Sequence, residues 1–285
     1  MNKLEGHKTI CTKAKLASTL RAYAAAKHVD LSMLIPQTFV MVAGTRAADA
    51  AAFDAAARLL ALSPEAGDGG EAQWIVKPNG LNRGRGICVF ADAAGVLAHL
   101  AAVERGSEWV VQRYIANPML VRGRKFDIRQ LVLRTPSGQV YMFRDSYVRT
   151  CSAEFSLADS DLSVHLTNDA VQKTLGTYGQ FEDANKLSFA EFDAILRDAH
   201  KSRGGPRITL DDHIWPAMRE SVCHVFRAAG KELNPRRLEH CFELLGFDFM
   251  VEADGALRRA PGCTRRSLAS LRMPERSAGT QARCA

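Results

Sequence analysis

The sequence contains no C-x-x-C pair. Its seven cysteines (Cys11, Cys88, Cys151, Cys223, Cys241, Cys263 and Cys284) are odd in number and scattered. That spacing argues against a disulfide framework and a zinc site, leaving reduced thiols packed mostly as small hydrophobes. Long apolar runs are absent too. The longest such stretch, Ala47–Leu62, is interrupted by Asp49, Asp54 and Arg58, short of the roughly 20 uncharged residues that span a bilayer. The opening MNKLEGHKTICTKAK has charges with no apolar core behind them, which excludes an ordinary secretory signal and makes a cytoplasmic or nuclear setting the expectation. Helix-turn-helix spacing, zinc-finger signatures and interleaved aromatic and basic residues are also missing, so neither nucleic acid nor a membrane is an expected partner.

What is present is the balance of a soluble globular chain: 285 residues, 47% apolar and 24% charged. This suits one large domain or two ordinary ones and excludes disorder as the main theme. The formal charge of +7 is unevenly spread. Residues 256–285 carry seven arginines, no lysine and one acid, Glu275, a sum of +6 that leaves +1 for residues 1–255. Within that body, Lys77–Arg129 has nine basic residues against four acids, a candidate anion-binding surface for nucleotide phosphates or an acidic protein.

Helical spacing covers Thr12–His28 and the alanine-rich Ala47–Leu62, with a short extended piece at Leu34–Val42 between them. After the Gly-Asp-Gly-Gly linker, Gln73–Lys77 and Ile87–Phe90 read as strands, Ala91–Glu104 as a helix and Glu108–Ile115 as a strand. Lys125–Arg134 turns at Pro136-Ser137-Gly138 into Gln139–Arg149, an antiparallel hairpin. Asn168–Leu175, Ser188–Lys201 and Asp211–Ala229 read as helices, and Pro216 falls in the first turns of the last. Phe242–Val251 is an apolar strand ended by Asp254-Gly255. Strands grouped on either side of helices predict an α+β fold.

Three segments carry chemistry. In WIVKPNGLNRGRGI, Trp74–Ile87, Gly80, Gly84 and Gly86 allow backbone amides to approach an anion, and Lys77, Arg83 and Arg85 supply charge. A solvated hairpin loop is an equal reading, since the segment has neither P-loop nor dinucleotide-fold order. Along the next strand, alternation puts Lys125, Asp127 and Arg129 on one face and Phe126 and Ile128 on the other. Asp248 sits inside the apolar strand FELLGFDFMV, where an unpaired carboxylate is costly, so it requires either an arginine or a metal as partner.

Together, WIVKP…RGRGI, VVQRYIANPMLVRGRKFDIRQLVLRT, FRDSYVRT, HLTNDAVQK and FELLGFDFMV resemble the tubulin tyrosine ligase and tubulin tyrosine ligase-like family of ATP-grasp enzymes, in family order from about Lys13 to Val251. TYGQFEDANKLSFAEF, Thr177–Phe192, is similar to the tyrosine ligase itself, and FRDSY, Phe143–Tyr147, to the glycylase branch. The resemblance implies an ATP-grasp core, two antiparallel-sheet subdomains with flanking helices, over residues 71–255. Residues 1–70 would be a partial N-terminal helical segment and linker, and 256–285 a divergent, unstructured tail.

It further implies that Lys77 and Arg85 meet ATP phosphates and that Gln112, Arg113, Tyr114 and Ile115 meet the adenine. Lys125, Asp127 and Asn168 would also bind nucleotide. Arg129 and Arg149 would receive the acceptor carboxylate and its acyl phosphate, Asp248 would bind Mg2+, and His165 and Thr167 would line the cleft. The implied function is ATP-dependent ligation of a free amino acid (tyrosine, glutamate or glycine) to the acidic C-terminal tail of tubulin, in the cytoplasm at the cytoskeleton, cilium or flagellum. The resemblance breaks after Asp254. The family continues through a Trp-Leu-Ile-Glu-Val-Asn segment, but Pro261 and Cys263 stand where its Glu and Asn belong, and neither is a hard oxygen ligand. The arginine-rich text there is expected not to form the family's strand. The break points to an altered reading frame, or to an inactive ATP-grasp module that associates with tubulin or microtubules.

Overall fold

The computed structural model describes residues 3–44, 51, 53, 55, 73–203, 208–265 and 282–284; the expected helix Ala47–Leu62 otherwise lies outside the described residues. Among the described residues the strands form two antiparallel sheets, as the α+β reading predicts. The small sheet comprises β1 (Thr38–Val42), β2 (Trp74–Pro78), β3 (Cys88–Phe90) and β4 (Glu108–Arg113) in the order β1-β4-β2-β3. Alternation gives it two unlike faces. Trp74 and Val76 of β2 join Trp109 and Val111 of β4 in a core with Phe53 and with Val96 and Leu100 of helix Ala93–Ala102. Ile75, Lys77 and Gln112 face the other way, toward the cleft.

The large sheet is built around an 11-residue strand, β6 (Arg124–Arg134), preceded by β5 (Leu120–Val121). The expected hairpin is antiparallel but interrupted: β7 (Val140–Met142) pairs with the end of β6 and β8 (Tyr147–Thr150) with its beginning. Between them Ser146 Oγ replaces a ladder carbonyl by accepting the Leu131 N–H at 3.1 Å, so the chain leaves and rejoins one edge of β6. β9 (Lys186–Ser188) extends β8, and β10 (Glu243–Val251) pairs along the opposite edge of β6.

Two strands lie in the tail expected to be unstructured. β11 (Leu257–Arg265) pairs with β10, and β12 (Ala282–Cys284) with β7. The open edge of β10 offers main-chain hydrogen bonds to any backbone that follows the turn, whatever its side chains. The register jumps opposite Phe247–Phe249, from Cys263 to Arg259, so Pro261 falls within a bulge where its missing N–H breaks no ladder bond.

Helices cover the large sheet. α1 (Lys13–Lys27) buries Leu16, Ala17 and Leu20 and ends on His28 in the left-handed conformation, whose N–H returns to the Ala24 carbonyl. α2 is the Ala93–Ala102 helix, and α3 (Leu162–His165) and α4 (Asp169–Gln172) are single turns. α5 (Phe189–Arg203) opens on a reciprocal cap in which Ser188 Oγ accepts the Glu191 N–H and the Glu191 carboxylate accepts the Ser188 N–H. α6 (Trp215–Ala229) starts later than its composition predicts, because Leu210–Ile214 form a π-turn capped by Thr209. Its Met218, Val222, Val225, Phe226 and Ala229 meet Leu16 and Leu20 of α1 and Phe126, Ile128, Phe247 and Phe249 of the sheet in one core.

Candidate active site

The second face of the large sheet is charged and buried. Lys125, Asp127 and Arg129 share that face of β6, as alternation predicts, and Arg149 of β8 stands opposite Asp127 while Asp248 of β10 stands opposite Arg129. This register produces cross-strand ion pairs. Arg149 grips Asp127 through Nε, at 2.7 Å, and a terminal nitrogen, and it reaches Asp248 Oδ1 at 3.1 Å. Arg129 gives Nε to Asp248 Oδ1 and a terminal nitrogen to Oδ2 at 3.0 Å. Lys125, Asp127, Arg129 and Arg149 are buried and Asp248 is partly so, so the face is not a wet one.

Burial alone would raise the Asp248 carboxyl, but Arg129 and Arg149 outweigh it and hold it below the ordinary carboxylate range. Burial likewise opposes the Arg149 charge, and Asp127 and Asp248 more than compensate, raising its pKa. Asp248 therefore has arginines as partners, one of the two partners its place in an apolar strand required. Both its oxygens are committed to them, and no group of three or more His, Cys, Asp or Glu among the described residues could hold a metal ion. Magnesium needs oxygen ligands in near-octahedral array; these residues do not fit a protein-built magnesium site.

Two ammonium groups border this arrangement, Lys77 from the small sheet and Lys125 from the same face of β6. Lys77 Nζ donates to Gln112 Oε1 at 3.0 Å, and Gln112 is braced by Nε2 donating to Thr38 Oγ1 at 2.8 Å. Burial, with Lys13 and Lys125 nearby, lowers the Lys77 ammonium to about 7. Lys125 Nζ donates to the Tyr114 hydroxyl at 2.6 Å, and burial lowers it to about 8. Neither lysine has a carboxylate within ion-pair distance among the described residues. Two buried lysines without an ion-pair partner among the described residues, lining one cleft, form a site for an anion.

The Gly-rich loop forms the cleft's rim. Arg83, Gly84 and Gly86 take positive φ values of 63°, 78° and 69°, and exposed Arg83 and Arg85 line the opening. Lys13 anchors this loop by donating to the carbonyls of Pro78 at 3.0 Å and Leu81 at 2.6 Å. A Cβ on Gly84 would lie 2.8 Å from Val171 Cγ2 and 3.4 Å from Asn168 Oδ1, so the loop packs against α4. His165, Thr167 and Asn168 form the third wall, held by buried Gln172, which donates to the carbonyls of Ser163 at 2.7 Å and Leu166 at 2.6 Å and accepts the Ser152 N–H at 2.7 Å.

The cleft thus gathers Lys77, Arg85, Gln112, Arg113, Tyr114, Ile115, Lys125, Asp127, Arg149, Asn168 and Asp248 from segments far apart in sequence. Arg129 does not line it but stands behind Asp248. Sequence reasoning missed Lys13, which looks like any solvent-side lysine of an alanine-rich helix, and the side-chain roles of Tyr114 and Gln172. No local pattern marks these, since each works through a partner distant in the chain.

The family model for the tubulin-tyrosine ligase family matches residues 1–257. Similar proteins include the human protein monoglycylase TTLL8, 33% identical over 208 residues, covering 69% of this chain and 24% of that protein. Tubulin glycylase 3B of Tetrahymena thermophila is 31% identical over 184 residues, 64% of this chain and 15% of the relative. Human tubulin monoglycylase TTLL3 is 35% identical over 190 residues, 64% and 24%. The chain thus spans about a quarter or less of these relatives' length. With 257 of its 285 residues matched, and with two antiparallel sheets meeting at a basic cleft, the chain belongs to the tubulin-tyrosine ligase family.

Proposed function

We propose that this chain is the ligase core of a tubulin-modifying enzyme that uses ATP to join a free amino acid to the acidic C-terminal tail of tubulin. Glycine is the amino acid favoured by the names of the relatives and by the FRDSY segment. The observation that carries this reading is the pair of buried ammonium groups, Lys77 and Lys125, which make no ion pair among the described residues and line one cleft together with Arg149, Asp127 and Asp248. Lys77, Lys125 and the Arg83–Arg85 loop bind the polyphosphate, and Gln112–Ile115 border the base. Arg149 attracts the acceptor carboxylate, while Arg129 acts behind Asp248 to hold it. The γ-phosphoryl group passes to the carboxylate, giving an acyl phosphate and ADP, and the amine then displaces phosphate to form the amide. Fixed cations at the transferring group are the main protein contribution to such chemistry.

Incubating the full chain with tubulin, Mg-ATP and labelled glycine tests this. ATP-dependent incorporation into tubulin tails, lost in Lys125→Met, is expected; incorporation of tyrosine or glutamate alone would reassign the amino acid, and none at all would overturn the ligase reading. One observation favours a second reading, an inactive ATP-grasp module that associates with tubulin. Asp248 is fully committed to two arginines, and the following strand brings Pro261 and Cys263 rather than oxygen ligands. ATP binding and microtubule co-sedimentation without turnover would establish it.

A further inference from the structure

Lys125 is held by more than its place on β6. Its Nζ lies 2.6 Å from the Tyr114 hydroxyl, the hydroxyl 2.7 Å from His165 Nδ1, and His165 Nε2 2.6 Å from the Asp159 carbonyl oxygen. The two ends of this series are chemically one-sided. An ammonium only donates, and a backbone carbonyl only accepts. His165 Nε2 must therefore carry the hydrogen given to Asp159, which leaves Nδ1 of the neutral ring as acceptor. Tyr114 then has one place for its own hydrogen, His165 Nδ1, and its oxygen remains free to accept from Lys125. Every hydrogen runs in one direction. Aromatic rings complete the enclosure: Nζ lies 4.2 Å from the Tyr114 centroid and 5.5 Å from that of Phe155, and Phe155 meets the His165 ring edge-on at 6.0 Å.

We propose that Tyr114 and His165 are positioning residues for the Lys125 ammonium, a one-directional hydrogen-bond relay that fixes Nζ at the cleft and ties ATP binding to the 155–165 segment. The inference rests on the nucleotide reading above and deepens it. Lys125 gives one hydrogen to Tyr114 and keeps two for a ligand, so the relay sets where those two point. Tyr114→Phe removes the link yet keeps the ring packed with Ile75 and Leu166.

The test uses the full chain and its Tyr114→Phe, Lys125→Met and doubly substituted forms. ATP dissociation constants come from equilibrium dialysis, and His165 ring nitrogens are read by 15N NMR, assigned by signal loss in His165→Phe. Tyr114→Phe is expected to weaken ATP about tenfold, the usual scale for losing a bond to a charged group. The double variant should bind no more weakly than Lys125→Met alone, because Tyr114 acts through Lys125. Wild-type affinity in Tyr114→Phe, or multiplying losses in the double variant, overturns the relay. Should Lys125→Met bind ATP normally, the nucleotide reading fails and the spectra decide separately. A hydrogen on Nε2, with an Nδ1 signal that shifts in Tyr114→Phe as that nitrogen loses its donor, supports the relay, and a hydrogen on Nδ1 of the wild-type chain overturns it.

Discussion

Asp248 shows how one side chain acquires two meanings. In an apolar strand it needs a partner, and cross-strand register supplies Arg129 and Arg149. Removing it takes a carboxylate from two buried guanidinium groups at once. Asp248→Ala is expected to cost about 3 kcal/mol, the scale for breaking a buried ion pair from one side, and urea unfolding reads it directly. Lost ligation in that variant would accordingly not establish metal binding. Lys77 permits a prediction of sign. Its ammonium titrates near 7 in the folded chain and near ~10.4 when unfolded, so between those values the unfolded chain binds the extra proton and stability rises with pH. The burial cost is complete below about 7. Lys77→Met should therefore raise the thermal midpoint more at acid pH than at alkaline pH, and wild-type affinity for inorganic pyrophosphate should fall as pH rises through neutrality.

At the scale of elements, the cleft depends on small segments held by single residues. Gly84 combines a positive φ with a Cβ position overlapping Val171; Gly84→Ala should displace the rim loop from α4 and weaken ATP binding severalfold while leaving both sheets folded. Gln172 satisfies three backbone groups of the third wall at once. Gln172→Leu orphans them and should destabilise by about 2–4 kcal/mol, given a cost of roughly 1–3 kcal/mol for each unsatisfied buried group and partial relaxation, seen as a lower urea midpoint with an unchanged slope. β11 teaches a related lesson. Composition argued against a strand, yet the open edge of β10 and the Asp254-Gly255 turn recruit the backbone, with Pro261 placed in a bulge.

For the whole molecule, the two sheets contribute opposite walls of one cleft, and Lys77 and Lys125 belong to different sheets. A ligand bound to both couples them. ATP at about a hundredfold excess over its dissociation constant should stabilise the chain by ~2.7 kcal/mol. Amide exchange should slow together in β4 and β6, whereas slowing in one sheet alone would show that the ligand does not bridge them. Five cysteines of the described residues are free, and burial pushes the Cys151 thiol up to about 12, so alkylation of the unreduced chain should label Cys151 only after denaturation and these five in full once it is unfolded.

The amino-acid sequence by itself determined the strands and helices whose periodicity is strong, and the face of β6 on which Lys125, Asp127 and Arg129 stand. Side-chain alternation and helical spacing are local properties of the chain. The order of its motifs also singled out Lys77, Lys125, Asp127, Arg149 and Asp248, which line one cleft. Tertiary structure decided what those residues do to one another: which arginine grips which carboxylate, how Lys13 anchors the Gly-rich loop, and where the Tyr114 hydrogen points. Such pairings join residues up to 119 positions apart, and only sheet register and the closure of one subdomain upon the other bring them within bonding distance.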